Sequence, residues 1–179
     1  MKKQSPNQTG FSYVDVLIAV AILLVGVMAL VSAITYAVVG TTRNQLQLVA
    51  KQHASSTIES IFAARDVTRL QYDSIGNIGS VDIPGGIFPV GPQNIYDGAG
   101  QDGIVGTPDD QAGADGTLNT PDDAPLVPDF QREITIANVP DPDRPGSNTM
   151  RQIDVTIDYT VGNRQTRETF STYIANYAR

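Results

Sequence analysis

Residues Thr9–Thr35 read TGFSYVDVLIAVAILLVGVMALVSAIT, and this stretch decides the architecture. From Val16 to Val39 there are 24 residues without a charge, interrupted only by Gly26, Ser32, Thr35 and Tyr36. As a helix the run extends about 36 Å at 1.5 Å per residue. A hydrocarbon core of about 30 Å is thereby spanned. Lys2 and Lys3 precede the run, so the positive-inside tendency puts the N-terminus in the cytoplasm and everything after Arg43 outside. A single carboxylate, Asp15, stands at the threshold of the run.

Working outward, the 179 residues allow one modest domain plus this appendage. The formal charge of −7, with no cluster of Lys and Arg, argues against nucleic acid as a partner. The chain has no cysteine, which excludes disulfides and thiolate chemistry and leaves packing to hold the fold together.

Three readings of the N-terminus compete. A plain membrane anchor leaves Asp15 as an interfacial accident. A secretory signal peptide finds a small-residue cleavage site at Val31-Ser32-Ala33, although the apolar run continues past it. The third reading uses every residue: a basic, polar leader MKKQSPNQTG ends in Gly10, then come Phe11, Ser12, Tyr13, Val14, Asp15 and the apolar run.

This order resembles the class III signal sequence of type IV prepilins and pseudopilins. The resemblance implies cleavage by prepilin peptidase between Gly10 and Phe11, N-methylation of Phe11, and a subunit-assembly role for Asp15, where the family usually has Glu. A carboxylate in a bilayer costs about 2.5–3.5 kcal/mol on insertion scales, so it needs a partner. The resemblance supplies one, the new Phe11 ammonium of a neighbouring subunit. It also implies that residues 1–10 are a leader, that other pilin subunits and the inner-membrane pilus or secretion machinery are partners, and that the headpiece lies outside the inner membrane before entering a filament.

Beyond the run, Leu46, Val49, His53, Ile58, Ile61 and Phe62 recur near helical spacing, and no Pro or Gly occurs between Thr41 and Ile75. One helix over residues 11–71 is expected, with 16–39 in the membrane and 40–71 amphipathic. Ala19, Gly26, Ala29 and Ala33 would let neighbouring helices approach. The only histidine, His53, has neither a second His nor a Cys to join in a metal site and reads as a packing or surface residue.

Residues 72–179 form the expected headpiece. Ile153, Val155, Ile157, Tyr159 and Val161 alternate with polar residues, the pattern of a half-buried strand, and Gly162-Asn163 reads as a two-residue hairpin turn. Pairing Val161 with Arg164 sets Asp158 opposite Arg167 and Val155 opposite Phe170. Phe130–Val139 supplies a third strand. The expected fold class is therefore α+β, a long N-terminal helix packed against a small antiparallel sheet, as in pilins. The terminal TFSTYIANYAR also resembles the ending of PilV-type minor pilins.

Between helix and sheet lies an acidic, Asp/Gly-rich loop, residues 94–129. No Lys or Arg occurs from Leu70 to Gln131, whereas ten Asp do. GQDGIVGTPDD, Gly100–Asp110, recurs as GADGTLNTPDD, Gly113–Asp123. Two readings stay open. Oxygen-rich loops suit calcium, with Asp102, Asp109, Asp110, Asp115, Asp122 and Asp123 as candidate ligands, although the spacing is not that of an EF-hand. The same composition also suits a solvated acidic loop. GAGQDG, Gly98–Gly103, matches a dinucleotide fingerprint literally, but that motif needs a strand before it and a helix after it, whereas here Pro-rich sequence precedes it, and the Asp inside it and those after it would repel pyrophosphate. With no nucleophile elbow, His-based triad or phosphate loop, an enzyme is not expected. The alternatives to a filament subunit are an exported calcium-binding module released after Ala33 and a membrane-anchored binding protein that never polymerises.

Overall fold

The computed structural model describes residues 12–140, 143 and 149–176. One helix, α1, runs Tyr13–Asp66, followed by four strands: β1 Gln93–Tyr96, β2 Leu126–Asn138, β3 Met150–Val161 and β4 Arg164–Ala175. The class is α+β, as expected: a 54-residue apolar N-terminal helix packed against a four-stranded antiparallel sheet of order β1-β2-β3-β4.

The chain divides into two compact units, Met1–Asn44 and Gln45–Arg179. In the first, the described helical residues are all exposed, including Leu23, Leu24, Val25, Met28 and Leu30. This part of the helix is long and apolar enough to cross a membrane. Its serine and threonine hydroxyls bond within the helix. Ser32 Oγ donates to the Met28 carbonyl at 3.0 Å, and Thr35 and Thr41 donate to Val31 and Ala37 at 2.9 and 2.7 Å. Polar groups satisfied within the helix are what a hydrocarbon environment demands.

In the second unit the buried stripe of α1 is Ala50, Ala54, Thr57, Ile61 and Ala64, spaced by four and three so that all lie on one face. Leu46, Val49, Ile58 and Phe62, expected as the packing face, flank this stripe half-buried. Three of the five are alanines, and the larger side chains pack against the core beside them. The helix ends earlier than residue 71. Thr68 takes a left-handed conformation (φ 60°), its N–H donates to the Arg65 carbonyl at 3.0 Å, and the Arg69 N–H reaches back to Ala64 at 2.9 Å. That is a Schellman stop made with threonine where glycine is usual.

The β3–β4 hairpin has the expected register, with Val161 opposite Arg164, Asp158 opposite Arg167 and Val155 opposite Phe170. Ile153, Val155, Ile157 and Tyr159 are buried with Ile134 and Ile136 of β2 beneath α1. On the other face the Arg167 guanidinium grips Asp158 through two bonds of 2.7 Å. β1 was not expected. It pairs with β2 across an irregularity, Asn94 opposite Gln131 but Ile95 opposite Val127, where Asp129 adopts a positive φ of 66°. Beyond the end of β1, the Asn77 side chain takes the next strand's place against β2. Its amide donates to the Ile134 carbonyl at 2.6 Å and its oxygen accepts the Ile136 N–H at 2.8 Å.

Candidate functional sites on the helix and the acidic repeat

Gly10 and Phe11 lie outside the described residues. Asp15 sits in the first turn of α1. Its carboxylate accepts the Ser12 N–H at 3.1 Å, while Ser12 Oγ accepts the Val14 N–H at 3.3 Å. This pair is a variant of the capping box, with the Ser12 hydroxyl on the second amide rather than the third and Asp in the usual Glu position, and it favours the acid at the positive end of the helix dipole. Ser-x-x-Asp was visible in the sequence and gives Asp15 a second, purely local use. Both N–H groups survive a cut before Phe11.

The acidic repeat is built twice on one plan. In the first copy, Asp109 Oδ2 accepts the N–H groups of Gln101 and Asp102 at 2.9 and 3.1 Å, and Asp102 Oδ1 accepts that of Ile104 at 2.7 Å. In the second, thirteen residues on, Asp122 Oδ2 accepts those of Ala114 and Asp115 at 3.0 and 3.1 Å, and Asp115 Oδ1 that of Thr117 at 2.7 Å. Backbone strain repeats too: Gly100, Gly103 and Gly106 have positive φ, and so do Gly113, Gly116 and Asn119. The conserved Thr is the hub of each copy. Thr107 Oγ1 lies 2.9 Å from the Ile104 carbonyl, 2.7 Å from Asp109 Oδ1 and 3.3 Å from Asp102 Oδ1. Thr120 Oγ1 repeats this at 2.8, 2.9 and 3.5 Å with Thr117, Asp122 and Asp115.

The copies differ in what they rest on. Asp110 is buried, accepts the Gly106 N–H at 2.9 Å, and is held at 2.7 Å by Arg132 Nη2. Arg132 lies on β2 in phase with Ile134 and Ile136, so it points inward and is itself buried, reaching Thr57 of α1 through Nη1 at 3.2 Å. Ile104 is buried beside it. The first copy is thus held to helix and sheet by that ion pair, by the buried Ile104, and by the Val105 N–H, which donates to Ser60 Oγ of α1 at 3.1 Å. Asp123, the counterpart of Asp110, is half-buried and accepts the Asn119 N–H at 2.8 Å.

Electrostatics follow this layout. Burial raises the Asp110 carboxyl above its ordinary range, with Arg132 pulling the other way, and burial likewise lowers Arg132. For Asp109 burial acts upward, but the Thr107 hydroxyl and the main-chain amides outweigh it and the net shift is down. Asp102 is raised, chiefly by burial. Asp122 is lowered, chiefly by the Thr120 hydroxyl. His53, its ring 5.7 Å from that of Phe130, is lowered by burial and by nearby Arg132 against an opposing pull from Asp97.

Asp102 is thereby brought to Asp109, and Asp115 to Asp122, while Asp110 turns to Arg132. Among the described residues no group of three or more His, Asp or Glu side chains is arranged to hold a metal. Sequence reasoning missed Arg132, although its phase with the two isoleucines marked it as inward-facing.

The architecture is pilin-like. Comparison with protein-family models, with curated proteins and with solved structures finds no match to this chain.

Proposed function

We propose that the chain is a minor type IV pilin or pseudopilin, a structural and assembly subunit of a pilus-like filament. The observation that carries this reading is the exposed apolar helix, continuous with the helix that packs on an antiparallel sheet. An apolar surface of this kind needs lipid or neighbouring helices to cover it. The leader ending in Gly10, followed by Phe11 and Asp15, supports processing by prepilin peptidase, insertion with the N-terminus cytoplasmic, and later extraction into the filament. Intact mass and N-terminal sequence of the protein recovered from membranes of a cell with its own prepilin peptidase test it. A chain beginning at Phe11 with an added methyl group is expected, and one beginning after Ala33 would replace this reading with that of an exported module.

A second reading concerns the repeat. One hydroxyl proton at Thr107 faces Oδ1 of both Asp102 and Asp109, and Thr120 faces Asp115 and Asp122 in the same way. We infer that each pair, with the adjacent carbonyl and water, offers oxygens to one calcium ion, with Asp110 engaged by Arg132 instead and Asp123, whose Oδ1 lies 3.2 Å from Thr120 Oγ1, beside the second site. Calcium should then raise the melting temperature of the detergent-solubilised chain, because a ligand held only by the folded state stabilises it. No shift at saturating calcium would leave the carboxylates solely as acceptors for the chain's own amides.

A further inference from the structure

His53, the chain's only histidine, sits half-buried where three elements meet. On α1 it stands one turn before Thr57, whose hydroxyl donates to the His53 carbonyl at 2.9 Å. From β2 it meets Phe130, ring to ring at 5.7 Å, and Arg132; from the end of β1 and the segment after it, Tyr96 and Asp97. His53, Tyr96, Asp97 and Arg132, together with Val105 of the first repeat copy, line a cleft of about 270 Å³. We propose that His53 is a proton-operated latch: charging it unseats the first repeat copy from α1 and β2 while the sheet stays folded.

The cleft joins His53 to the ties that seat the repeat. Arg132 bonds Asp110 at 2.7 Å and Thr57 at 3.2 Å, so a guanidinium lining the cleft is also the anchor of the first copy. Val105, lining it too, donates its N–H to Ser60 Oγ at 3.1 Å. An imidazolium formed here is a second cation beside Arg132 and is cut off from part of its hydration. Asp97 pulls the other way without winning: burial and Arg132 together hold the His53 pKa below its ordinary value. Asp110 faces the ring only by way of Arg132.

A proton that the closed arrangement resists favours any arrangement that admits water to the ring. The cleft has walls of unequal strength. Helix and strands are fixed by their own hydrogen-bond ladders, whereas residues 97–109 contain no helix or strand and are tied to the rest of the head at Asp97, Asp102 and Val105, with Asp110 just beyond. Segments secured in this way open at a fraction of the cost of global unfolding. The loop wall is therefore the one that yields, and the seating of the acidic repeat becomes a function of the pH around the head.

The experiment is hydrogen exchange at single amides of the full chain in detergent micelles, at about pH 7.5 and about pH 5.5, corrected for intrinsic exchange. The Val105 and Gly106 amides, which donate to Ser60 and Asp110, should lose protection several-fold in acid while the β3 amides keep theirs. His53→Gln, neutral at both values, should remove that difference. Asp97→Asn takes away the attraction that favours the charged ring and should enlarge it. The same acid loss in His53→Gln, an equal loss in β3, or no loss in the unmodified chain overturns the proposal. Should His53→Gln disturb the packing against Phe130, Asp97→Asn decides, since an unchanged or smaller acid loss there also overturns it.

Discussion

Replacing Asp110 with Ala isolates the bolt between repeat and core. The substitution strands the Arg132 guanidinium, only 3% exposed, without the carboxylate that now sits 2.7 Å away. It also removes the acceptor for the Gly106 and Thr107 N–H groups. Breaking a buried ion pair from one side costs about 3–5 kcal/mol, because the remaining charge stays desolvated. With a urea m value of about 2 kcal/mol/M for a unit of this size, the unfolding midpoint should fall by about 2 M. Asp123→Ala in the second copy loses hydrogen bonds but strands no cation, and about 1 kcal/mol is expected. Pairing Asp110→Ala with Arg132→Met should recover much of the loss, since an apolar replacement of the whole pair is often neutral. The assay is urea unfolding of the detergent-solubilised chain followed by the near-ultraviolet circular dichroism of its tyrosines, Tyr159 being in the core. If Asp110→Ala costs no more than Asp123→Ala, or if the double variant is no better than the single, the ion pair does not anchor the repeat.

The proposed assembly role of Asp15 and its local cap at the start of α1 can be separated by substitution. Asp15→Asn removes the charge needed to meet a neighbour's ammonium but keeps an oxygen for the Ser12 N–H, so filament incorporation should drop while helix content measured by circular dichroism stays; equal incorporation would leave only the cap. Asp15→Glu should retain both. His53 predicts a pH dependence. Its folded pKa is lowered, so the stability it contributes is full above its unfolded value of about 6.5 and is lost as pH falls through the folded value. The melting temperature should therefore decline as pH falls below about 6.5, and His53→Leu should flatten that decline. An unchanged slope in the variant would place the titrating group elsewhere.

The hairpin was legible to the residue because β3 alternates cleanly and Gly162, with a φ of 62°, makes a two-residue turn that leaves one register. β1 was not legible, since four residues behind a Gly-Pro pair carry too little pattern, and their pairing depends on an irregularity opposite Pro128 and Asp129. The helix stop was hidden for a related reason: Thr68 does what sequence rules reserve for glycine. Of the apolar residues of α1 that recur at helical spacing, Ile61 lies in the buried stripe as its pattern suggests, but Ala50, Ala54 and Ala64 share that stripe, and alanine is too weakly apolar to be singled out from the sequence. At the repeat, duplication marked the six aspartates, but their division of labour was decided by Arg132, twenty-two residues after Asp110. A motif read by itself cannot reveal which of its acids another strand will claim.

Asn77 bears on how such a headpiece stays soluble. β1 spans only four residues against the thirteen of β2, so part of β2 would otherwise present bare donors and acceptors to solvent. One amide side chain closes that gap at Ile134 and Ile136. Exposed strand edges recruit other strands, which makes them the starting points of aggregation. Among the described residues no strand pairs with the other border: β4 is a terminal strand of twelve residues, and from Thr169 to Ala175 it carries no charge. Misassembly of crowded heads would thus begin along β4, and a lysine introduced at the exposed Ser171 or Tyr173 is where protection against it would be most economically placed.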